Sequence, residues 1–550
     1  MSRRSKRGRA PAVFRLVCVG CCLSVALSAA SAVFAATATF TLVKTTTTPN
    51  PVKFSSPTLV DLDGNAQTLE IVVGDEGGNV YGFDSTGKSL WSFSIRSFSG
   101  FSTVQTACQS SPAVADLDGD GAKEVVVTLA SRDEYVASKP GAIFTFHLDS
   151  KGLNPTATGG FARRALDRNS DSIPDGFFAS PTLYDLDSDG LPEILATSWD
   201  YTCYAFQPNG ALVWNLDYDP TSNQEYGFVA GDTIWTTPAV ADIDQDGVAE
   251  VVFGADAHDF PWGHQLPFQS KSGGVLIALA ASTGRLEYGA SGAGRFFTES
   301  YHAEGSGSYY TANGENHIPV VNISEVLQSS PVIADVDGDG KYEIIHGTGQ
   351  TIHSPSDTQH NRVYCWNAEN ATLKWSRDVG AEVFACCAVG NTDGGSDLEV
   401  FVRNFNETSP KLYGIKGSTG AVLPGFPVAL QAGNPRSIGA VIGDVDGDGQ
   451  MEIIVISCGR VHVFSAAGVQ ESYFDSAPGA MFTSPAIGDI DHDGRCEMVI
   501  GISNGISIYR CNGTAGTIPW GQYRYDAKKS GVVPKAPSSP AKRWSVWPTG

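Results

Sequence analysis

A short acidic loop between two apolar runs recurs along this chain of 550 residues. One copy runs Ser-Pro-Ala-Val-Ala-Asp-Leu-Asp-Gly-Asp-Gly from Ser111 to Gly121 and is followed by Glu124-Val-Val-Val. Such loops begin at the following positions: Asp61, Asp116, Asp185, Asp242, Asp335, Asp444 and Asp489, with an altered copy at Asn391. An internal repeat of this length indicates an array of similar units, so it constrains the fold more than any other feature.

The acidic residues of each loop are spaced to bring their carboxylates to one point. In the second copy, Asp116, Asp118 and Asp120 alternate, and Glu124 lies eight residues after the first. Gly121 permits the sharp bend that a residue with a Cβ makes only at a cost. Six or seven hard oxygen ligands suit Ca²⁺, whereas Mg²⁺ requires a stricter octahedron and keeps its waters. Without a cation, four carboxylates within about 5 Å repel one another strongly.

Six copies keep the full pattern of three aspartates and a glutamate, and we interpret them as calcium sites. Their predicted ligands are Asp116, Asp118, Asp120 and Glu124; Asp185, Asp187, Asp189 and Glu193; Asp242, Asp244, Asp246 and Glu250; Asp335, Asp337, Asp339 and Glu343; Asp444, Asp446, Asp448 and Glu452; Asp489, Asp491, Asp493 and Glu497. The predicted ligands of the first copy are Asp61, Asp63, Asn65 and Glu70, and there the glutamate arrives one residue late. The copy at Asn391 has lost carboxylates and is predicted to bind weakly or not at all. Two alternatives remain open: solvated acidic turns without an ion, and ions that are structural and do no chemistry.

The N-terminus has the layout of a Sec-type secretory signal peptide. Residues 1–35 carry six basic side chains and no acid, followed by an apolar core over about 16–29 and small residues before Ala36. This core is too short to cross a membrane comfortably, and we expect no transmembrane segment in the mature chain. The predicted location is therefore secreted, cell-surface or periplasmic. The formal charge of −22 makes nucleic acid a poor partner, because phosphates require a basic face.

Eight cysteines remain after the predicted signal peptide. Cys496 and Cys511 flank an apolar hairpin with Asn504-Gly505 at its turn, so they should lie nearly opposite one another. Export permits disulfides, and we predict a bridge between these two. The adjacent Cys386 and Cys387 are interpreted as buried strand thiols, with a vicinal bridge as the alternative.

Each repeat contains four strand-like pieces, which in the first repeat cover residues 56–60, 70–73, 79–83 and 89–93. Four short antiparallel strands repeated in tandem predict an all-β fold, a β-propeller whose closed ring hides its sheet edges. We expect the propeller to cover residues 55–531 with eight blades, seven being the alternative. The Thr-rich residues 36–54 could supply a strand that closes the ring. Residues 532–550, rich in Pro, Ser and Lys, are predicted to form a disordered tail.

The pattern Ser-Pro-x-x-x-Asp-x-Asp-x-Asp-Gly-x-x-Glu resembles the FG-GAP (VCBS) repeat of integrin α subunits and of many secreted bacterial proteins. This resemblance implies a propeller of seven or eight blades, with calcium in the loop between the first two strands of a blade. The segment from Tyr81 to Trp91 is also similar to propellers that bind pyrroloquinoline quinone. Residues 520–527 resemble a segment common at the end of secreted bacterial repeat proteins.

Function is predicted from the arrangement of the connections. In a four-stranded blade the acidic loops lie on one face, and we expect the long insertions on the other, where binding concentrates. These insertions cover 132–140, 152–176, 255–273, 289–328 and 349–361, and they hold six of the ten histidines. We predict an extracellular adhesion module, or one that binds a glycan or protein ligand. The alternative is a polysaccharide lyase or another propeller enzyme with its site on the insertion-rich face.

Overall fold

The fold is taken from a computed structural model of the chain. The structure describes residues 37–102, 107–130, 141–165, 176–200, 202–215, 236–257, 273–286, 310–312, 315–317, 329–349, 361–433, 439–476 and 483–535. These ranges contain 34 strands and one short 3₁₀ helix at Ile95–Ser97. No helix in this part of the chain has the length and apolar character needed to cross a bilayer.

The strands form eight four-stranded antiparallel sheets, the blades of a β-propeller. The chain begins with β1 (Phe40–Thr47). Blade 1 has β2 (Thr58–Val60), β3 (Glu70–Gly74), β4 (Asn79–Phe83) and β5 (Ser89–Ser94). Blade 2 has β6 (Ala113–Ala115), β7 (Glu124–Leu129), β8 (Ala142–His147) and β9 (Ala162–Arg164). Blade 3 has β10 (Thr182–Tyr184), β11 (Glu193–Thr197), β12 (Cys203–Phe206) and β13 (Leu212–Asn215). Blade 4 has β14 (Ala239–Ala241), β15 (Glu250–Ala257), β16 (Gly273–Ala280) and β17 (Arg285–Leu286).

A separate hairpin follows blade 4 in the chain, with β18 (Tyr310–Ala312) and β19 (Glu315–His317). Blade 5 has β20 (Val332–Ala334), β21 (Glu343–Gly347), β22 (Arg362–Asn367) and β23 (Thr372–Asp378). Blade 6 has β24 (Ala388–Gly390), β25 (Glu399–Arg403), β26 (Lys411–Lys416) and β27 (Val428–Ala429). Blade 7 has β28 (Val441–Gly443), β29 (Glu452–Ser457), β30 (Arg460–Ser465) and β31 (Gln470–Asp475). Blade 8 has β32 (Ala486–Gly488), β33 (Glu497–Ile502) and β34 (Gly505–Cys511), with β1 as its fourth strand.

The prediction of an all-β propeller with eight blades is confirmed. The first strand of each blade is three residues long and lies beside the first strands of neighbouring blades, so it is the inner strand. The second strand is buried along its whole length, as in β7 and β29, because it packs between two adjacent blades. This double burial explains its uninterrupted apolar sequence. The fourth strand is outermost and more exposed, as in β31.

Strand β1 joins the two ends of the chain. It pairs antiparallel with β34, from Phe40 opposite Cys511 to Thr47 opposite Gly505. The Thr-rich segment near the start of the chain therefore supplies the outer strand of blade 8, whose other strands come from the end of the chain. This pairing covers the edge of β34, which would otherwise present a row of unpaired backbone groups.

A belt of hydroxyl groups links the inner ends of consecutive blades. It consists of the Ser or Thr that precedes proline at the start of each inner strand in six blades. In each link the backbone N–H of one belt residue donates to the side-chain oxygen of the next. The links are Ser484 to Ser56 (2.9 Å), Ser56 to Ser111 (3.0 Å), Ser111 to Ser180 (2.9 Å), Ser180 to Thr237 (3.1 Å) and Thr237 to Ser330 (3.0 Å). Because these groups are buried, each bond satisfies an N–H that water does not reach.

Residues 516–533, which we call the C-terminal plug, run across the inner strands. Plug carbonyls accept N–H groups from the inner strands of five blades. The donor and acceptor pairs are Val114 and Ala527, Leu183 and Lys528, Ile333 and Gly531, Ile442 and Trp520, and Ile487 and Gly521. Arg524 is fully buried and its guanidinium donates to the carbonyls of Pro238 (2.6 Å) and Pro331. The central channel is therefore occupied by the chain's own C-terminal segment.

Two predicted boundaries need correction. The segment 152–176 is not a single insertion, because β9 lies within it and forms the fourth strand of blade 2. Its first part connects the third and fourth strands, on the face of the acidic loops, where the Gly152 carbonyl accepts the Trp91 indole N–H at 2.8 Å. The tail begins later than predicted, since Val533 N–H donates to Ile333 O at 2.9 Å and Lys535 Nζ to Gly340 O at 2.7 Å.

Candidate metal centres

Each acidic loop joins the inner strand of a blade to its second strand. In blade 2, the two carboxylate oxygens of Asp116 accept the N–H groups of Gly119 (2.8 Å) and Gly121 (3.0 Å). Asp118 Oδ1 accepts the Asp120 N–H at 3.2 Å. Gly121 has φ +87°, which a residue with a Cβ rarely adopts. The same bonds form in blades 5 and 7, so the first aspartate folds the loop around itself.

The glutamate that follows each loop is buried and fixed to the backbone. Glu124, at 1 % exposure, accepts the Leu117 N–H at 2.6 Å through Oε2. The corresponding bonds join Glu70 to Leu62, Glu193 to Leu186, Glu250 to Ile243, Glu343 to Val336, Glu399 to Thr392, Glu452 to Val445 and Glu497 to Ile490. The late glutamate of the first copy keeps this bond at 2.8 Å, so the extra residue is absorbed within its loop.

The structure brings the predicted ligands of several loops together. Carboxylate oxygens lie within 4.8 Å of one another in these groups: Asp61, Asp63 and Glu70; Asp116, Asp118 and Asp120; Asp185, Asp187 and Glu193; Asp242, Asp244 and Glu250. The buried oxygens Glu193 Oε1, Asp446 Oδ2 and Asp489 Oδ1 have no hydrogen-bond partner among the described residues. A buried carboxylate without a partner is costly, and a hard divalent cation would satisfy it. The repeated acidic groups are therefore compatible with Ca²⁺ sites.

The raised pKa values of the loop glutamates are also compatible with cation binding. Burial raises the pKa of Glu70 and Glu124 to about 7, and the nearby loop aspartates contribute to this rise. Burial also raises the pKa of Glu343 and Glu497 to about 7, although Lys374 and Arg510 oppose the rise. Burial raises the pKa of Glu452 to about 9. A carboxyl group with a raised pKa resists ionisation until a positive charge arrives beside it. Binding of a divalent cation would therefore release protons from Glu70, Glu124 and Glu452.

Basic side chains reach the loops of blades 2, 5, 6 and 8, which the spacing of acidic residues does not reveal. In blade 2, His147 Nδ1 lies 3.1 Å from Glu124 Oε1. In blade 5, Lys374 contacts Glu343 and Asp337. In blade 8, Arg510 contacts the loop glutamate and two loop aspartates. His147 and Arg510 lie directly opposite the loop glutamate in the strand register, and that register is the signal that finds them.

The altered loop of blade 6 keeps its shape without the full set of aspartates. Asn391 Oδ1 accepts the Gly394 N–H at 2.8 Å, and Glu399 Oε2 accepts both the N–H and the hydroxyl of Thr392. Lys416 Nζ lies 3.3 Å from Asp397 Oδ2 beside this loop. Hydrogen bonds and one ion pair thus replace the missing carboxylates in blade 6.

The predicted disulfide between Cys496 and Cys511 is absent. The two residues do lie opposite one another, since the Cys511 N–H donates to the Cys496 carbonyl at 2.8 Å. Both are nevertheless free thiols. Each sulfur instead lies 3.5 Å from a nearby acceptor, the Glu497 carbonyl for Cys496 and Asn512 Oδ1 for Cys511. Cys386 and Cys387 are also free and buried, but they precede β24 and do not lie within a strand, unlike their interpretation as strand thiols.

The face opposite the acidic loops carries the connections from second to third strands and from blade to blade. Residues 131–140, 258–272 and 350–360 each connect a second strand to a third, and 287–328 lead from blade 4 to blade 5. These segments, apart from the hairpin of β18 and β19, lie outside the described residues. The same holds for the side chains of the six insertion histidines.

Comparisons with known proteins agree with this architecture. Residues 185–253 and 444–500 match the FG-GAP-like repeat. A comparison with curated protein sequences gave no match. Among solved structures, the quinohemoprotein alcohol dehydrogenase from Comamonas testosteroni is similar, with 12% identity and a TM-score of 0.51, over 87% of this chain and 77% of that one. At this identity the likeness concerns the fold alone.

Two further solved structures are similar to this chain at lower TM-scores. BamB from Moraxella catarrhalis has 11% identity and a TM-score of 0.47, over 86% of this chain and 97% of that one. The exotype rhamnogalacturonan lyase YesX has 13% identity and a TM-score of 0.48, over 90% of this chain and 80% of that one. With the blades, their loops and the matched repeats taken together, this chain is an eight-bladed β-propeller that contains FG-GAP-like repeats at residues 185–253 and 444–500.

Proposed function

We propose that this chain is an exported calcium-binding β-propeller that acts outside the membrane as an adhesion or ligand-binding module. Its ligand would be a glycan or a protein. In this proposal the Ca²⁺ ions are structural and hold the loops between inner and second strands. The layout of residues 1–35 as a secretory signal supports export to the cell surface, the periplasm or the medium.

The observation that carries the calcium assignment is the buried glutamate of each loop. One oxygen of Glu193 is fixed to the Leu186 N–H at 2.7 Å, while the other is buried and finds no hydrogen-bond partner in the part of the chain that the structure describes. The carboxylates of Asp185 and Asp187 lie within 4.8 Å of it. Such an arrangement supplies hard oxygen ligands at one centre, the environment that Ca²⁺ prefers.

The plug supports a ligand site on the outer faces of the ring. Because Trp520, Gln522 and Arg524 are buried among the inner strands, a ligand entering the channel would have to displace the plug. The connections 131–140, 258–272, 287–328 and 350–360 begin and end on the face opposite the acidic loops. Loops on a rigid scaffold are where binding residues concentrate, so this face is the proposed ligand surface.

The test is a binding array of glycans and extracellular matrix proteins, probed with the mature chain from residue 36. We expect retention on a defined set of ligands, with weaker retention after chelation because the scaffold loosens. A control incubation with pectic polysaccharides should release no unsaturated product. Release of such a product would support the enzyme alternative, and absence of retention on every ligand would contradict the adhesion proposal.

Secretion is tested separately by expressing the full chain in a host with a Sec pathway. We expect exported material whose N-terminus begins at Ala36. Retention of the uncleaved chain in the cytoplasm would contradict the proposed export.

A further inference from the structure

In blade 5 a lysine lies where a bound cation would lie. Lys374 comes from the outer strand β23, and its ammonium contacts Asp337 and lies 2.9 Å from Glu343 Oε1. This is the oxygen of Glu343 that the backbone leaves free, since Oε2 accepts the Val336 N–H. Lys374 is only 15% exposed, so its charge is largely withdrawn from water and directed at the loop.

In blade 8 an arginine takes the same place from the third strand. Arg510 Nε lies 2.7 Å from Glu497 Oε1, Nη1 lies 3.3 Å from Asp493 Oδ2, and Nη2 contacts Asp491. A guanidinium presents several donors in a fixed fork, so one side chain bonds three carboxylates at once. One oxygen of Asp489 has no hydrogen-bond partner within the described ranges, so the loop of blade 8 is neutralised less completely.

Blades 2 and 7 have neither a lysine nor an arginine at the position opposite the loop glutamate. In blade 7 this position is Ser465, and Glu452 has neither a lysine nor an arginine within 4.0 Å among the described residues. In blade 2 it is His147, and an imidazole, unlike a lysine or an arginine, can itself serve as a metal ligand through a nitrogen lone pair. The loops therefore differ in whether a permanent positive charge is built into them.

We infer that the loops of blades 5 and 8 take no Ca²⁺, because Lys374 and Arg510 serve as their permanent counter-ions. A divalent ion at either centre would need the same glutamate oxygen and would meet a positive side chain within about 4 Å, a strong repulsion in a partly buried site. The side chain is tethered to its strand, so it competes at a high effective concentration. This inference rests on the proposed binding of Ca²⁺ by the remaining loops.

The loops around the ring therefore fall into two kinds, those neutralised by a basic side chain and those that bind Ca²⁺. Seven loops carry the predicted ligand sets. With blades 5 and 8 already neutralised, no more than five of them remain as calcium sites. The loops of blades 5 and 8 then keep their shape when calcium is scarce, while the others loosen.

The experiment counts Ca²⁺ bound per chain by equilibrium dialysis of the folded, chelator-treated protein. The native chain is expected to bind no more than five ions. Lys374→Met and Arg510→Met should each add one ion and enlarge the calcium-induced rise in melting temperature. Lys341→Met and Arg495→Met are the matched controls, since these exposed side chains lie on the same two loops, and they should leave the count unchanged.

The outcomes separate the two proposals. Six or seven ions in the native chain would overturn the inference and leave calcium binding intact, a result that needs no variant to fold. An unchanged count in both folded methionine variants would also overturn it. If neither the native chain nor any variant bound Ca²⁺, the proposed function itself would fail, and the inference with it.

Discussion

Replacing Glu452 in blade 7 by glutamine is expected to stabilise the metal-free chain and to weaken its response to Ca²⁺. Glu452 is 1 % exposed, and its Oε2 accepts the Val445 N–H at 2.9 Å. Burial, with a further contribution from the Asp446 carboxylate, raises its pKa to about 9. Without a metal this side chain is therefore protonated in the folded chain at neutral pH and ionised in the unfolded chain.

The size of the effect follows from the protonation. At about pH 7.5, three units above the ordinary value of 4.5, protonating Glu452 on folding costs about 4 kcal/mol, since one unit corresponds to about 1.4 kcal/mol. Glutamine keeps an acceptor for the Val445 N–H and removes this cost. For 550 residues, an unfolding entropy of roughly 2.1 cal/mol/K per residue converts about 4 kcal/mol into a rise of about 3 to 4 °C.

With Ca²⁺ the variant lacks one negative ligand. An ion present at about a hundred times its dissociation constant stabilises the folded state by about 2.7 kcal/mol, and Glu452→Gln should lose most of that increment in blade 7. Thermal melting by circular dichroism, after chelation and again after calcium saturation, measures both effects. The matched control is Glu407→Gln, an exposed position, which should change neither. A lower metal-free melting temperature, or an undiminished calcium response, would refute the reasoning.

Three other predictions concern the scaffold. Four loop glutamates have a pKa raised to about 7, so the metal-free chain should lose stability as pH rises from about 5 to about 8. In a pH series of melts, saturating Ca²⁺ should remove the part of this dependence that comes from Glu70 and Glu124 and leave the part that comes from Glu343 and Glu497, whose loops hold Lys374 and Arg510. Ser111→Ala leaves the buried Ser56 N–H without its acceptor and should lower the free energy of unfolding, measured with denaturant, by about 1–3 kcal/mol. The control Ser92→Ala, at an exposed position, should leave it unchanged, and equal effects of the two variants would contradict a stabilising role of the belt. A chain ending at residue 518 lacks most of the plug and should melt well below one ending at residue 535, which should match the native chain; equal melting temperatures would show that the plug does not stabilise the ring.

Local sequence determined what could be predicted. The number of repeats predicted the number of blades, because every blade contains one copy of the same short inner strand, acidic loop and second strand. The buried glutamate follows the first loop residue by a nearly fixed interval, so its place was visible without a structure. Even the late Glu70 reaches the same backbone partner, because the loop absorbs one residue without moving the strands.

What escaped prediction depends on contacts distant in sequence. Arg510 lies 13 residues after Glu497 and Lys374 lies 31 after Glu343, so no common spacing reveals them. The belt joins residues in different blades, and only the closed ring brings Ser484 to Ser56. Residues 520–527 of the plug were identified from the sequence by resemblance. Their position across the inner strands was not, because it depends on backbone carbonyls, which any residue supplies. The absent disulfide shows that residues opposite one another need not turn their sulfurs together.

The central claim is that carboxylate loops clamp this ring through bound Ca²⁺. The most direct test is to measure the calcium content of the purified mature chain by elemental analysis, then follow its melting temperature on chelation and on adding Ca²⁺ back. We expect several ions per chain, a large fall in melting temperature when they are removed, and recovery when they return. A chain that carries no calcium and melts at the same temperature in chelator and in calcium would contradict the account.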